Sequence, residues 1–220
     1  SASVGSLPPV AASTGFVVRD RTTRAGLDLW TSTYRGFARD LDGNRRKDIV
    51  FSQHGKKPAF VALNGPGGLR RITPDAFSPL DRHGCAAADV DRSGARDILC
   101  AVGRGRGKQI TRHELSIDPS EPTARLARAG LGISDPLVRG SVVDFLRLDG
   151  DAYPEVFIGN VPTRDDSLPS LNRFYRNQGG RFVPAPEVGL DRAHGALCAW
   201  SGDLEKDGDQ DLVYCTQYGF

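Results

Sequence analysis

The nine residues Asp203-Leu204-Glu205-Lys206-Asp207-Gly208-Asp209-Gln210-Asp211 have the oxygen chemistry and spacing that suit a hard divalent cation. Counting Asp203 as position 1, oxygen side chains stand at positions 1, 3, 5 and 9 and Gly208 at position 6, and the apolar run Leu212, Val213, Tyr214 follows at once. Ca²⁺ takes six to eight oxygens at about 2.3–2.6 Å, and a tight loop supplies them when alternate residues point inward, glycine permits the turn and a mid-loop carbonyl joins. The metal set here is Asp203, Glu205, Asp207, Asp209 and Asp211. The alternative is an acidic, solvated turn that holds no ion.

The spacing recurs. Asp40, Asp42, Asn44, Arg46 through its carbonyl, and Asp48 run into Ile49-Val50-Phe51; Asp89, Asp91, Ser93, Ala95 through its carbonyl, and Asp97 run into Ile98-Leu99-Cys100. A weaker copy, with Asp149, Asp151 and Glu155 but Arg147 at position 1, runs into Val156-Phe157-Ile158. At that third loop the ion is absent, is replaced by the guanidinium, or is reached by Asp144. The first and third loops carry Gly43 and Gly150 at position 4 but Arg45 and Ala152 at position 6, which predicts a distorted or weaker turn. The expected order of affinity is fourth, second, first, third. The copies begin at 40, 89, 147 and 203, a period of 49 to 58 residues that suits one small antiparallel sheet each.

Composition bounds the rest. With 220 residues, 39% hydrophobic and 25% charged, the chain is long enough for a sizeable core, and a formal net charge of +2 gives no argument for nucleic acid or an anionic membrane surface. No apolar run approaches the eighteen residues of a membrane span and no long helical periodicity appears, so an all-β protein is expected. The chain starts at Ser1 and contains no Met, and reads as a processed or excised product.

The four cysteines bracket two of the loops. Cys85 and Cys100 have their midpoint at 92.5, Cys198 and Cys215 at 206.5, each half a residue before the loop centre at 93 or 207. One hairpin register repeated in two sheets, with paired cysteines directly opposite, gives that offset and predicts disulfides Cys85–Cys100 and Cys198–Cys215. Four buried free thiols are the alternative. Disulfides together with calcium point to a secreted or extracytoplasmic location.

Along the chain, residues 1–14 read as a flexible lead-in and Gly15–Asp20 as a strand. After each acidic loop comes a strand and then a second hairpin: Ala59–Leu63, a turn at Asn64-Gly65-Pro66-Gly67-Gly68 and Leu69–Ile72 in the first repeat; Asn172–Asn177, Gln178-Gly179-Gly180 and Phe182-Val183 in the third. Four strands in that order describe a propeller blade.

On these residues the chain resembles a known family. Phe37-Ala38-Arg39-Asp40-Leu41-Asp42-Gly43 and its copies resemble the FG-GAP/VCBS repeats of integrin-α-like β-propellers. Asn172-Arg173-Phe174-Tyr175-Arg176-Asn177, Gly179-Gly180-Arg181-Phe182 and Val188-Gly189-Leu190 are similar to its cartilage-acidic-protein-like branch. The resemblance, over residues 15–220, implies blades of four antiparallel strands, structural calcium, and a ring of seven or eight blades. This chain accounts for about three and a half to four of them, so a second polypeptide or a second half is expected to complete the ring. The repeat serves adhesion proteins, lectin-like domains and some enzymes, and so leaves the function open.

A second set of chemical groups lies at the other end of the repeats. Each first strand opens with a basic residue before glycine: Arg35-Gly36, His83-Gly84, Arg139-Gly140 and His194-Gly195. Inner strands of a propeller line its axis, so Arg35, His83, Arg139 and His194 are expected to converge on the channel mouth opposite the calcium loops, with His54 on the same face. Such a mouth suits a carboxylate or phosphate, or a transition metal on histidine, and His83 or His194 could act as acid or base. The plainer reading is that glycine permits close packing while its neighbour faces water. Trp200 and Tyr214 read as blade core; Trp30 and Tyr34 as core or a sugar-stacking surface; Arg104–Lys108 as a solvated loop. The sequence supports a secreted, calcium-stabilised propeller that binds carbohydrate or protein, or an enzyme using the Arg/His mouth on an anionic substrate.

Overall fold

The computed structural model describes residues 19–20, 22–25, 27, 33–54, 57–73, 77, 80–103, 111–117, 122–126, 131–133, 139–161, 171–191 and 195–216. The expected lead-in, nearly all of the strand at 15–20, Trp30, the run Arg104–Lys108 and His194 lie outside them.

Fourteen strands are present among the described residues, in three four-stranded antiparallel sheets and one two-stranded sheet. The first sheet runs β1 (Thr33–Arg39), β2 (Asp48–Gln53), β3 (Phe60–Gly65), β4 (Gly68–Ile72); the second β5 (Arg82–Ala88), β6 (Arg96–Val102), β7 (Thr111–Ile117), β8 (Pro122–Leu126). The third runs β9 (Arg139–Leu146), β10 (Glu155–Val161), β11 (Arg173–Gln178), β12 (Arg181–Pro184), and the last pairs β13 (Ala196–Gly202) with β14 (Asp211–Thr216). Strand neighbours in sequence are neighbours in the sheet throughout, which is the meander of a propeller blade. An acidic loop joins the first two strands of every sheet. The Gly-rich turns at 66–67 and 179–180 close the outer hairpins as expected; β7 and β8 form the matching hairpin of the second sheet, which no glycine turn announces.

Sheets stack through their faces. β5 packs beside β1, β9 beside β5 and β13 beside β9, with no comparable contact from β13 back to β1 among the described residues. The sequence explains the stacking through period-two alternation after each loop. The residue two beyond position 9 faces the following sheet: Val50, Leu99 and Phe157 are fully buried in the three successive inter-sheet cores. The residue just before it, Ile98, Val156 or Leu212, packs back on the preceding sheet. With both faces covered, β10 is buried along its whole length, Glu155 and Asn160 included.

Both disulfides form between directly opposed residues, Cys85–Cys100 and Cys198–Cys215. Cys100 lies three residues beyond Asp97 whereas Cys215 lies four beyond Asp211, so the two bridges sit on opposite faces of their sheets. The first is inside the core between the first two sheets. The second shares its face with Val213 and Trp200, the latter 52% exposed, so Trp200 is not the core residue expected, whereas Tyr214 is, packing near Phe157.

Asparagines of the third-repeat phrase tie sheets together. Asn172 Oδ1 accepts the N–H groups of Asn160 and Ala196, joining β10 to β13. Asn177 donates to the carbonyls of Val90 and Pro154, joining β11 to the second loop. Close approach of neighbouring sheets accounts for two of the glycines after the basic residues: a Cβ on Gly84 would lie 2.5 Å from Val142 Cα on β9 and one on Gly140 2.8 Å from Ala101 Cβ on β6.

Candidate functional site

The acidic loops share one hydrogen-bond plan. The carboxylate at position 9 accepts the backbone N–H of position 2 in all four: Leu41 to Asp48 at 2.8 Å, Val90 to Asp97 at 3.0 Å, Leu148 to Glu155 at 3.0 Å, Leu204 to Asp211 at 2.8 Å. Position 1 closes the turn. Asp40 accepts from Gly43 and Arg45, Asp89 from Gly94, Asp203 from Asp207 and Gly208. Positions 3 and 5 accept from residues two further on, as Asp42 does from Asn44, Asp91 from Ser93, Asp151 from Tyr153 and Asp207 from Asp209. These local bonds hold the carboxylates on the inside of each turn.

Backbone handedness follows the same plan. Positions 4 and 6 are left-handed in three loops: Gly43 (φ 78°) with Arg45 (68°), Arg92 (59°) with Gly94 (88°), and Lys206 (63°) with Gly208 (103°). The first loop is therefore not distorted by its arginine; Arg45 takes up the conformation that glycine holds in the second. Only the third loop departs, with Gly150 (φ 76°) left-handed and Ala152 not.

Three loops gather carboxylates at one point. Asp40, Asp42 and Asp48, then Asp89, Asp91 and Asp97, then Asp149, Asp151 and Glu155 each place one oxygen within 4.8 Å of the others. Asp48, Asp97 and Glu155 are fully buried, and burial pushes the Asp48 and Glu155 carboxyls above their ordinary range. Asp89 Oδ1 and Glu155 Oε1 are buried with no hydrogen-bond donor. A buried carboxylate oxygen without a donor is costly in the absence of a cation, so the residues present fit one. Asn44, Arg46, Ser93 and Ala95 stand in the same turns, between these carboxylates in the chain.

The fourth loop, expected to bind best, arranges its acids differently. Glu205 hydrogen-bonds Asp211 and Asp209 hydrogen-bonds Asp207, and this sharing raises Glu205 and Asp209 above ordinary carboxylates. Asp203, Glu205, Asp207 and Asp209 are exposed and Asp211 is half-buried, and four of these five acids fall into two pairs. At the third loop the guanidinium beside the carboxylates is that of Arg176, 3.6 Å from Asp149 and 3.2 Å from Glu187, while the Arg147 N–H donates to Gln210. Asp144 accepts from Phe145 on β9 and is not among that loop's gathered carboxylates.

The opposite end of the inner strands holds a second cluster. His54, at the end of β2, places Nδ1 3.1 Å from His83 Nε2 and 3.0 Å from Asp81 Oδ1; His83 Nε2 is 3.4 Å from the same oxygen. His83 Nδ1 lies 3.0 Å from the Gly140 carbonyl. Burial pushes the His83 imidazole below its ordinary value, against the pull of Asp81. The ring lies against Gly103, where any Cβ would overlap it. Arg139 donates from Nε to the Gly103 carbonyl at 3.1 Å, beside the same ring. Arg35 is held through its backbone by the Ser52 hydroxyl, which also reaches the His83 carbonyl.

Of the basic residues expected at this mouth, the structure brings His54, His83 and Arg139 together; Arg35 stands at the start of β1, one strand away, and His194 is outside the described residues. Sequence reasoning missed Asp81. Its signal was present: Asp81 stands two residues before His83, and alternation at the start of a strand puts both on one face.

No curated protein matched the chain. Residues 147–214, from the third acidic loop to β14, match an FG-GAP-like repeat, and the blade-like sheets and like loops that precede them are consistent with a chain built of such repeats.

Proposed function

We propose that this chain is a calcium-stabilised portion of a secreted β-propeller that acts as a binding module for a carbohydrate or a protein. The observation that carries it is the pair of buried, donorless oxygens, Asp89 Oδ1 and Glu155 Oε1, each within a three-carboxylate group. The first, second and third loops hold ions through those groups, and the fourth through Asp203, Glu205, Asp207, Asp209 and Asp211. Ions bound to the folded loops and not to the unfolded chain add stability by mass action, about 2.7 kcal/mol per site at a hundredfold excess over Kd. Two disulfides accord with an extracytoplasmic site.

The β13–β14 face with Val213, Trp200 and the second disulfide supports a further blade packed there, contributed by a second polypeptide or another half of the ring. The test of the calcium reading is thermal unfolding with and without EGTA, together with counting of bound calcium. A lower Tm in EGTA and loss of one ion in Asp89→Ala are expected; an unchanged Tm overturns it.

A second reading is favoured by the convergence of His54, Asp81, His83 and Arg139: an enzyme acting on an anionic polysaccharide or small metabolite. Glycan binding that survives His54→Ala supports the module. Turnover abolished by that change supports the enzyme.

A further inference from the structure

Three potential ligand atoms meet at the end of the inner strands remote from the acidic loops: His54 Nδ1, His83 Nε2 and Asp81 Oδ1, separated by 3.1, 3.0 and 3.4 Å. Ligand atoms about 2.0–2.1 Å from a tetrahedral Zn²⁺ stand roughly 3.3 Å apart. The three therefore already have the mutual spacing of one metal's coordination shell.

The hydrogen bonding around His83 gives the same answer independently. Its Nδ1 faces the Gly140 carbonyl, which only accepts, so the ring proton sits on Nδ1 and the Nε2 lone pair points at Asp81 and His54. Without an ion, a His54 Nδ1–H is placed to bridge His83 Nε2 and Asp81 Oδ1, at 3.1 and 3.0 Å. A cation that takes the place of that proton meets the same three atoms. A ligating histidine whose other nitrogen donates to a backbone carbonyl is the usual outer-sphere arrangement of metal sites. His83 is fully buried and positioned by Gly103 beneath its ring, and Asp81 is fixed beside it through its own carbonyl, which accepts the Gly103 N–H at 2.8 Å.

We infer that His54, Asp81 and His83 form a site for a divalent transition-metal ion of the zinc class, distinct from the acidic loops in place and in ligand chemistry. Two imidazoles and one carboxylate select such an ion over Ca²⁺, which prefers an all-oxygen shell. The side chain of His54 is 49% exposed, so the ion is reached from solvent on that side. Three protein ligands leave a coordination position for water or for an anionic group of a ligand, with Arg139 nearby to share its charge.

The test uses the whole chain in excess Ca²⁺, so that the acidic loops are satisfied, titrated with Co²⁺ and then Zn²⁺. The expected result is one Co²⁺ per chain, with the visible absorption of a low-coordinate nitrogen-oxygen site, displaced by Zn²⁺. His54→Ala and Asp81→Asn weaken binding by more than about 100-fold, since even outer-sphere changes cost roughly 10–100-fold. Glu187→Ala leaves it unchanged. Because His54 is half exposed, its variant keeps the fold, which circular dichroism verifies. Absence of bound Co²⁺ and Zn²⁺ in the unaltered chain, or unchanged uptake by His54→Ala, overturns the inference. Either failure is separable from failure of the calcium reading, which shows as insensitivity of the Tm to EGTA.

Discussion

Val213 of β14 stands two residues beyond its loop's last carboxylate, the same place that Leu99 holds in β6, yet it is 40% exposed where Leu99 is fully buried. The difference is the presence of a following sheet on Leu99 and of none on Val213 among the described residues. Leu99→Ala is therefore expected to cost about 2–5 kcal/mol, the range for emptying a packed core site, and Val213→Ala less than about 0.5 kcal/mol. Urea unfolding of the isolated chain measures both. A cost for Val213→Ala as large as for Leu99→Ala would mean that the β13–β14 face is covered.

The position-9 carboxylates carry structural bonds apart from any ion. Asp48 accepts from Leu41 through Oδ2 and from Asn64 through Oδ1, each at 2.8 Å, so one buried side chain ties the first loop to β3. Asp48→Ala strands both N–H groups and is expected to destabilise by about 2–4 kcal/mol even in calcium-free buffer. Asp211 is less buried and the corresponding change costs about 1 kcal/mol there. If both variants match the parent in EGTA and differ only with calcium present, these carboxylates act through the ion alone.

Arg45 occupies a left-handed conformation that Gly94 occupies in the second loop. A side chain in that conformation costs roughly 1 kcal/mol relative to glycine, reduced by the extra freedom glycine has when unfolded. Arg45→Gly is expected to raise stability by about 0.5–1 kcal/mol. Ala152→Gly, where φ is not positive, lowers it by a similar amount. Denaturant midpoints at fixed calcium decide, and a destabilised Arg45→Gly would show that the arginine side chain contributes more than its backbone strain costs.

Much of this architecture was legible because one short pattern sets several levels at once. The repeated loop fixes where the first two strands of each sheet turn, and the two residues after Asp97 or Glu155 declare which faces meet. Cysteine spacing gave the opposed pairs, since period-two geometry leaves few registers. What escaped was set by distant contacts. The β7–β8 hairpin has no glycine turn to announce it, and the exposure of Trp200 depends on whether a sheet covers it. The acids of the fourth loop match the spacing best, but there Glu205 hydrogen-bonds Asp211 and Asp209 hydrogen-bonds Asp207, whereas each of the other loops gathers three carboxylates around a buried one. Asp81 is missing from the loop pattern altogether and matters only because two strands bring His54 and His83 beside it.

Asp144 sets a pH dependence of its own. Burial raises its carboxyl above the ordinary value, with hydrogen bonds from Ser201 and Phe145 and the charge of Arg39 opposing, and its Oδ2 is buried without a donor. A carboxyl whose pKa is higher folded than unfolded binds its proton first in the folded state. Its penalty is present in full above the folded pKa and is relieved as pH falls through that value toward the unfolded one. Asp144→Asn removes the charge, keeps an acceptor for the Phe145 N–H, and is expected to stabilise by on the order of 1 kcal/mol at pH 7, with the gain shrinking as the pH falls below that folded pKa. Paired urea titrations of parent and variant across that range measure the difference. A gain that is constant with pH would show that ionisation of Asp144 is not its source, and a loss at pH 7 that the Arg39 attraction outweighs burial at this strand.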